Sequence, residues 1–328
     1  MDIAFFNTKS YDREIFESTN HAFNHNINFI EPHLNQMTTK LVQGEKCVCA
    51  FINDVLDRSV LELLKHRGVE LIALRSAGFN HIDLDAAKEL DLTVVRVPAY
   101  SPYATAEYAV GLLLVMNRRL HRAFNRVREG DFSINGLMGF DIHGKTVGII
   151  GTGRIGIAFA SIMVGFGTRV IAHDVHPSPE CTGMGVEYVS LDELYAQSDI
   201  ISLHCPLVEA TQHIINAEAI DKMKTGVTII NTSRGRLLDT RAVIAGLKDR
   251  KIGLIGLDVY EEEESMFFED LSDDMIEDDV FARLLTFPNV MVTSHQAFFT
   301  REAVARIAET TLQNISQYEN KETLLNAI

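Results

Sequence analysis

Three side chains stand where apolar runs end, and together they could move a proton beside a bound carboxylate. Arg234 follows "VTIINTS", Glu263 follows "LIGLDVYEE" and His295 follows "VMVTS". A guanidinium is a rigid fork that matches a carboxylate through two parallel hydrogen bonds and can polarise an adjacent carbonyl. An imidazole exchanges a proton near neutral pH. A carboxylate beside it fixes the ring's orientation and stabilises its charged form. Each residue also has a plainer role to weigh, as a surface ion pair, a satisfied polar group or, inside "YEEEE", a solvated charge. Spacing alone leaves Glu261, Glu263 and Glu264 as possible partners of the histidine. If the three runs are parallel strands, all three residues share the carboxyl ends, where α/β sheets carry their sites.

The rest of the chain supplies that sheet. Short apolar runs alternate with helix-length segments, the pattern of parallel α/β architecture. Strands are expected at "IAFFN", "INFI", "CVCAFI", "LIALR" and "TVVRV", then at "TVGIIG", "RVIAHD", "DIISLHC", "VTIINT", "LIGLDV" and "VMVTS". These form two successive halves of about five or six strands. Between them, Pro98 and Pro102 flank the start of a long helix, which Ser101 can cap and which little interrupts before Gly130. A final amphipathic helix carries apolar residues at 304, 307, 308 and 312 and could pack on either half.

The second half opens on "GIIGTGRIG", residues 148 to 156. A strand, then G-x-G-x-x-G, then a helix, with an acidic residue after the next strand, is the pattern of a dinucleotide-binding turn. Gly151 permits the tight turn and Gly153 lets a pyrophosphate approach bare backbone. Gly156 lets helix and strand pack closely, and Arg154 and Ile155 open the helix whose N-terminus faces the phosphates. Asp174, eighteen residues beyond Gly156, can accept from ribose hydroxyls and repel a 2′-phosphate, which favours NAD over NADP. With a nicotinamide in place, the arginine, glutamate and histidine suit hydride transfer to or from a 2-oxo acid.

Composition narrows the alternatives. The 328 residues exceed one typical core, so two domains are expected. A net charge of −15 argues against nucleic acid and anionic membrane surfaces as partners. No apolar run approaches the ~20 residues of a membrane span, and the first residues lack a secretion signal. Cys47, Cys49, Cys181 and Cys205 show no metal-site or C-x-x-C spacing, so no metal is expected and the compartment reads as reducing and cytoplasmic. The acidic run "EEEESMFFEDLSDDMIEDD" reads mostly as a solvated loop and helix face.

"VGIIGTGRIG", "ISLHCPL", "IINTSRGRLLD", "GLDVYEEE" and "TSHQAF" resemble, in order, the D-isomer-specific 2-hydroxyacid dehydrogenases. "LRSAGFNHIDLDAAKELDLTVVRVPAYSPYATAEYAVGL" and "FFEDLSDDMIEDDVFARL" are similar to the bacterial fermentative D-lactate dehydrogenases of that family. The resemblance implies a Rossmann NAD-binding domain, residues 101–296, inserted into a flavodoxin-like substrate domain, residues 1–100 and 297–328, with hinges near 100 and 297. It implies His295 as acid–base residue, Glu263 as its partner by spacing from Asp258, and Arg234 as the clamp on a substrate such as pyruvate. It further implies that backbone N–H groups of Ala77 and Gly78 join Arg234, that Tyr100 contacts substrate and that Phe298 bounds a small pocket. Cys205, Pro206, Thr211, Thr232, Ser233 and Asp258 match positions that contact the cofactor, Asp258 through the nicotinamide carboxamide. A homodimer or homotetramer, joined partly through residues 120 to 145, follows from the same resemblance. Reductases of larger or other small 2-oxo acids are the nearest rivals, and a non-catalytic NAD sensor is the rival of another class.

Overall fold

The computed structural model describes residues 1–263, 266–268 and 270–328. The chain forms two compact units, Met1–Ser101 with Phe299–Ile328, and Pro102–Phe298. No helix among the described residues is long and apolar enough to cross a membrane.

In the first unit, β1 (Asp2–Phe5), β2 (Asn26–Phe29), β3 (Cys47–Ala50), β4 (Leu71–Leu74) and β5 (Thr93–Val95) pair in parallel in the order β2-β1-β3-β4-β5. This is the flavodoxin-like order, with its switch point between β1 and β3. β3 and β4 are buried on both faces, which explains why they are unbroken apolar runs. Edge strand β2 alternates exposed and half-buried residues. Leu34, Leu56, Leu61, Leu64 and Ile72 centre the core. The C-terminal helix Arg301–Glu319, capped by Thr300 on the Ala303 N–H, belongs to this unit and buries Val304, Ile307, Ala308 and Leu312.

The second unit is built on β6 (Thr146–Ile150), β7 (Arg169–His173), β8 (Glu187–Tyr188), β9 (Ile200–Leu203), β10 (Val227–Asn231), β11 (Ile252–Leu257) and β12 (Val290–Val292). All pair in parallel in the order β12-β11-β10-β9-β6-β7-β8, the doubly wound Rossmann arrangement with one added strand. Consecutive residues serve opposite faces. Ile150 and Ile229 enter one core with Leu194, Val243 and Leu247, while Ile149 and Ile230 enter another with Leu112, Phe159 and Met163.

One expected element divides. The helix from Pro102 ends at Asn117, and a second runs from Leu120 to Arg128. Between them Arg119 takes a left-handed backbone, φ 49°. The buried Asn117 amide donates to Phe140 O at 2.7 Å and accepts from Phe140 N at 2.9 Å, fixing the helix end to a distant loop. The second helix buries none of its residues.

Candidate active site

The glycine turn leaves the carboxyl end of β6, and its three glycines answer to different constraints. Gly151 has φ +96°, and a Cβ there would lie 2.5 Å from the Cys205 backbone nitrogen. At Gly156 it would lie 2.0 Å from Gly151 O. The protein's own backbone therefore forbids side chains at both. Gly153 precedes the helix Arg154–Gly165, and a Cβ there meets nothing within 4 Å. The middle glycine leaves open space before a helix N-terminus, which is what a pyrophosphate requires. Gly156→Ala is expected to cost about 1–3 kcal/mol by overpacking, seen in a denaturant melt. Gly153→Ala should melt like the unaltered protein yet bind NADH more weakly by fluorescence titration.

Asp174, just past β7, is held by its neighbours. One carboxylate oxygen accepts from Thr152 N and Oγ1, the other from His176 N at 2.8 Å. Burial pushes its acidity down, but these donors outweigh it and hold the carboxyl below the usual range. It therefore stays ionised where a ribose would lie. Asp174→Asn is expected to improve NADPH relative to NADH by about tenfold, read as the ratio of their kcat/KM values.

Further along the same edge, Ser233 Oγ donates to Cys205 O at 2.7 Å, and Thr211 Oγ1 donates to Pro206 O at 2.7 Å. These bonds fix the 205–211 loop beside the turn. The Cys205 thiol is pushed up to about 11 by burial, so it is a packing group rather than a nucleophile. His204 lies against Phe159 and shares a 2.9 Å bond with Ser202; burial holds its ring neutral, down to about 3. Thr232 Oγ1 is buried with no hydrogen-bond partner among the described residues. An orphaned hydroxyl at the end of β10, together with the open glycine turn, fits a dinucleotide.

Arg234, Glu263 and His295 stand after β10, β11 and β12, which are adjacent in the sheet. His295 Nδ1 lies 2.6 Å from Glu263 Oε1. A carboxylate only accepts, so Nδ1 carries the proton and Nε2 is left for chemistry. Glu263 Oε2 accepts from Tyr260 N at 2.8 Å, which holds the carboxylate within its own turn. The pair is partly buried, both side chains being under one-fifth exposed. Arg234 is half-buried; its carbonyl accepts from Asn231 Nδ2, and its Nη1 donates to Ser233 O at 2.7 Å.

Two features absent from the sequence reading bring these loops together. A Cβ on Gly235 would lie 2.0 Å from Tyr260 C and O, so the chain beside Arg234 packs directly on the turn carrying Glu263. The "SRGR" glycine was the available signal. The other is His213, whose Nε2 lies 2.8 Å from Glu261 Oε1. Glu261 is thereby engaged elsewhere and is not the partner of His295. Glu264, another possibility on spacing alone, and the neighbouring Ser265 lie outside the described residues.

Asp258, expected to meet the nicotinamide carboxamide, is tied into the loop that carries His295. It is fully buried, and its carboxylate accepts from Thr293 Oγ1 at 2.6 Å, Gln296 N at 3.0 Å and Ala297 N at 2.7 Å. Its carbonyl accepts from His295 N at 2.7 Å. Burial pushes its acidity down despite these bonds. The side chain shapes the loop that presents His295, which adopts φ 52°.

Ala77, Gly78 and Tyr100 belong to the first unit, and Phe298 ends the second. Tyr100 and Phe298 are both half-buried. Val97 N donates to Ser76 O at 3.1 Å, and Arg96 Nη1 donates to Ala77 O at 2.7 Å. In a trans peptide the N–H opposes the C=O, so these bonds aim the N–H groups of Ala77 and Gly78 the other way. Neither N–H has a partner among the described residues. Ser76 Oγ closes the loop on Gly78 O at 2.7 Å. Such paired N–H groups suit an anion.

Comparison with known proteins places the chain among dehydrogenases. The family model for the NAD-binding domain of D-isomer-specific 2-hydroxyacid dehydrogenases matches residues 110–297. The chain is similar to D-lactate dehydrogenase of Escherichia coli strain K12, 51% identical over 328 residues and covering all of both chains. Among solved structures it is similar to the pyruvate reductase of Chlamydomonas reinhardtii, with a TM-score of 0.95 at 44% identity over 99% of this chain and 98% of that one. A D-lactate dehydrogenase from Lactobacillus jensenii, solved with NAD+, has a TM-score of 0.83 at 34% identity, covering 100% and 99%.

Proposed function

The chain belongs to the D-isomer-specific 2-hydroxyacid dehydrogenase family, and from this premise we propose that it is a D-lactate dehydrogenase, reducing pyruvate reversibly with NADH. The observation that carries the chemistry is the 2.6 Å pairing of His295 with Glu263, set one strand-end from Arg234.

Bound NADH supplies the hydride. Arg234 takes the substrate carboxylate in its fork and polarises the neighbouring carbonyl. His295, charged at the start of reduction, gives its Nε2 proton to the carbonyl oxygen. Glu263 keeps the ring in the one tautomer that leaves Nε2 outward and offsets the imidazolium charge. In lactate oxidation the ring starts neutral and takes the hydroxyl proton. The N–H groups of Ala77 and Gly78 are assigned to the substrate carboxylate, Tyr100 to a substrate contact and Phe298 to the boundary of the methyl pocket.

Oligomer formation is part of the proposal. Leu120, Phe124, Val127, Phe132, Ile134 and Met138 are all more than half exposed, along one helix and the loop after it. Exposed apolar side chains at this frequency suit burial against a second copy. Four free, buried cysteines suit a reducing cytoplasm.

The test is loss of NADH absorbance with pyruvate, alongside glyoxylate, hydroxypyruvate, 2-oxobutyrate and phenylpyruvate, with chiral analysis of the product. Fastest turnover on pyruvate giving D-lactate supports the proposal. Faster turnover on another acid moves the substrate and keeps the mechanism. NADH binding without turnover on any acid overturns the enzyme reading in favour of a sensor.

A further inference from the structure

The acidic turn after β11 is not a run of equivalent charges. Glu263 takes His295, Glu262 lies at the surface 3.8 Å from Arg236, and Glu261 turns inward with only 18% of its side chain exposed. Glu261 Oε1 receives His213 Nε2 at 2.8 Å, and its Oε2 accepts from Thr240 N at 2.8 Å, the first residue of the helix Thr240–Lys248. His213 stands on the loop after β9, and its N–H donates to Arg236 O at 2.9 Å. One carboxylate thus ties together the segments that follow β9, β10 and β11.

We propose that Glu261, held by His213 and the Thr240 N–H, is a positioning residue that sets the Glu263 carboxylate against His295. The proposal deepens the dehydrogenase reading and rests on it for its kinetic readout. Its logic is mechanical. Glu263 is fixed by Tyr260 N, a bond inside its own turn, so the carboxylate goes wherever the turn goes. The turn is anchored to the rest of the unit by the close backbone packing of Gly235, by Tyr260 Oη on Asp278 at 2.7 Å, and by the two bonds of Glu261. Of these, only Glu261 reaches the loop after β9, and it does so two residues from the carboxylate that must stay within 2.6 Å of Nδ1. A displacement of about 1 Å in such a group is enough to cost a large factor in rate.

The experiment compares Glu261→Ala, Glu261→Gln and Glu263→Gln, singly and combined. Glu261→Ala is expected to lower kcat for pyruvate about tenfold while the NADH dissociation constant, from fluorescence titration, changes less than twofold. Glu261→Gln keeps an acceptor for Thr240 N and a group that can bond His213, and should regain most of the loss. Glu261→Ala added to Glu263→Gln should cost little more, because it acts through Glu263. A readout independent of substrate is the downfield proton resonance of His295 Nδ1–H, identified by its disappearance in Glu263→Gln; it should vanish or broaden in Glu261→Ala and persist in Glu261→Gln. A lowered melting temperature with kcat and this resonance unchanged would overturn the proposal, as would fully additive losses in the double variant or a glutamine as defective as alanine. If the unaltered protein fails to reduce pyruvate, the functional reading falls, and the resonance still decides whether Glu261 positions the pair.

Discussion

His295→Ala lowers kcat/KM for pyruvate reduction by about 10²-fold or more, with NADH affinity unchanged. The size follows from what the ring does. It delivers a proton to the oxygen as the hydride arrives, while Thr293 Oγ1 and the Gln296 and Ala297 N–H groups beside it are committed to Asp258. Because residue 295 has a left-handed backbone, alanine alone could confuse lost chemistry with a shifted loop. Asparagine tolerates that conformation better than most residues, so His295→Asn should show the same kinetic loss with a melting temperature close to the unaltered protein. A loss under tenfold in both variants would remove His295 from proton transfer.

Arg234→Lys is expected to raise KM for pyruvate and lower kcat together, reducing kcat/KM by about 10²-fold. The charge survives the change, but the fork does not. Arg234 Nη1 spends one bond on the Ser233 carbonyl at 2.7 Å. That bond and the Asn231 amide on the Arg234 carbonyl fix where the guanidinium points. An ammonium on a flexible stem cannot both keep that anchor and present two parallel donors. Steady-state kinetics over a range of pyruvate concentrations separates the two parameters. An effect on KM alone would mean that Arg234 binds the ground state without polarising the carbonyl.

What could be read from residues alone divides along physical lines. The interior strands were plain because burial on both faces demands unbroken apolar runs, as in β3, β4, β9 and β10. β8, two residues of which one is exposed, carries no such signal. The division of the helix at Arg119 was hidden because no glycine or proline marks it; its cause is Asn117 bonding Phe140, 23 residues away. At the site, Arg234, Glu263 and His295 stood out because each follows an apolar run. Which glutamate faces the histidine was not legible, since Glu261 and Glu263 differ only in what the folded loops bring to them. The burial of Asp258 was equally hidden. Its sequence neighbourhood is that of a ligand-facing residue, while the groups that hold its carboxylate come from residues 293 to 297, at least 35 positions on.

The backbone at His295 carries one more implication. A non-glycine residue at φ 52° stores strain on the order of 1 kcal/mol that glycine would release. In His295→Gly that gain is set against the lost pairing with Glu263, so it should melt close to the active protein while being catalytically dead. Libraries screened for heat resistance alone will not reject that substitution, so any attempt to harden this fold must score turnover in the same round.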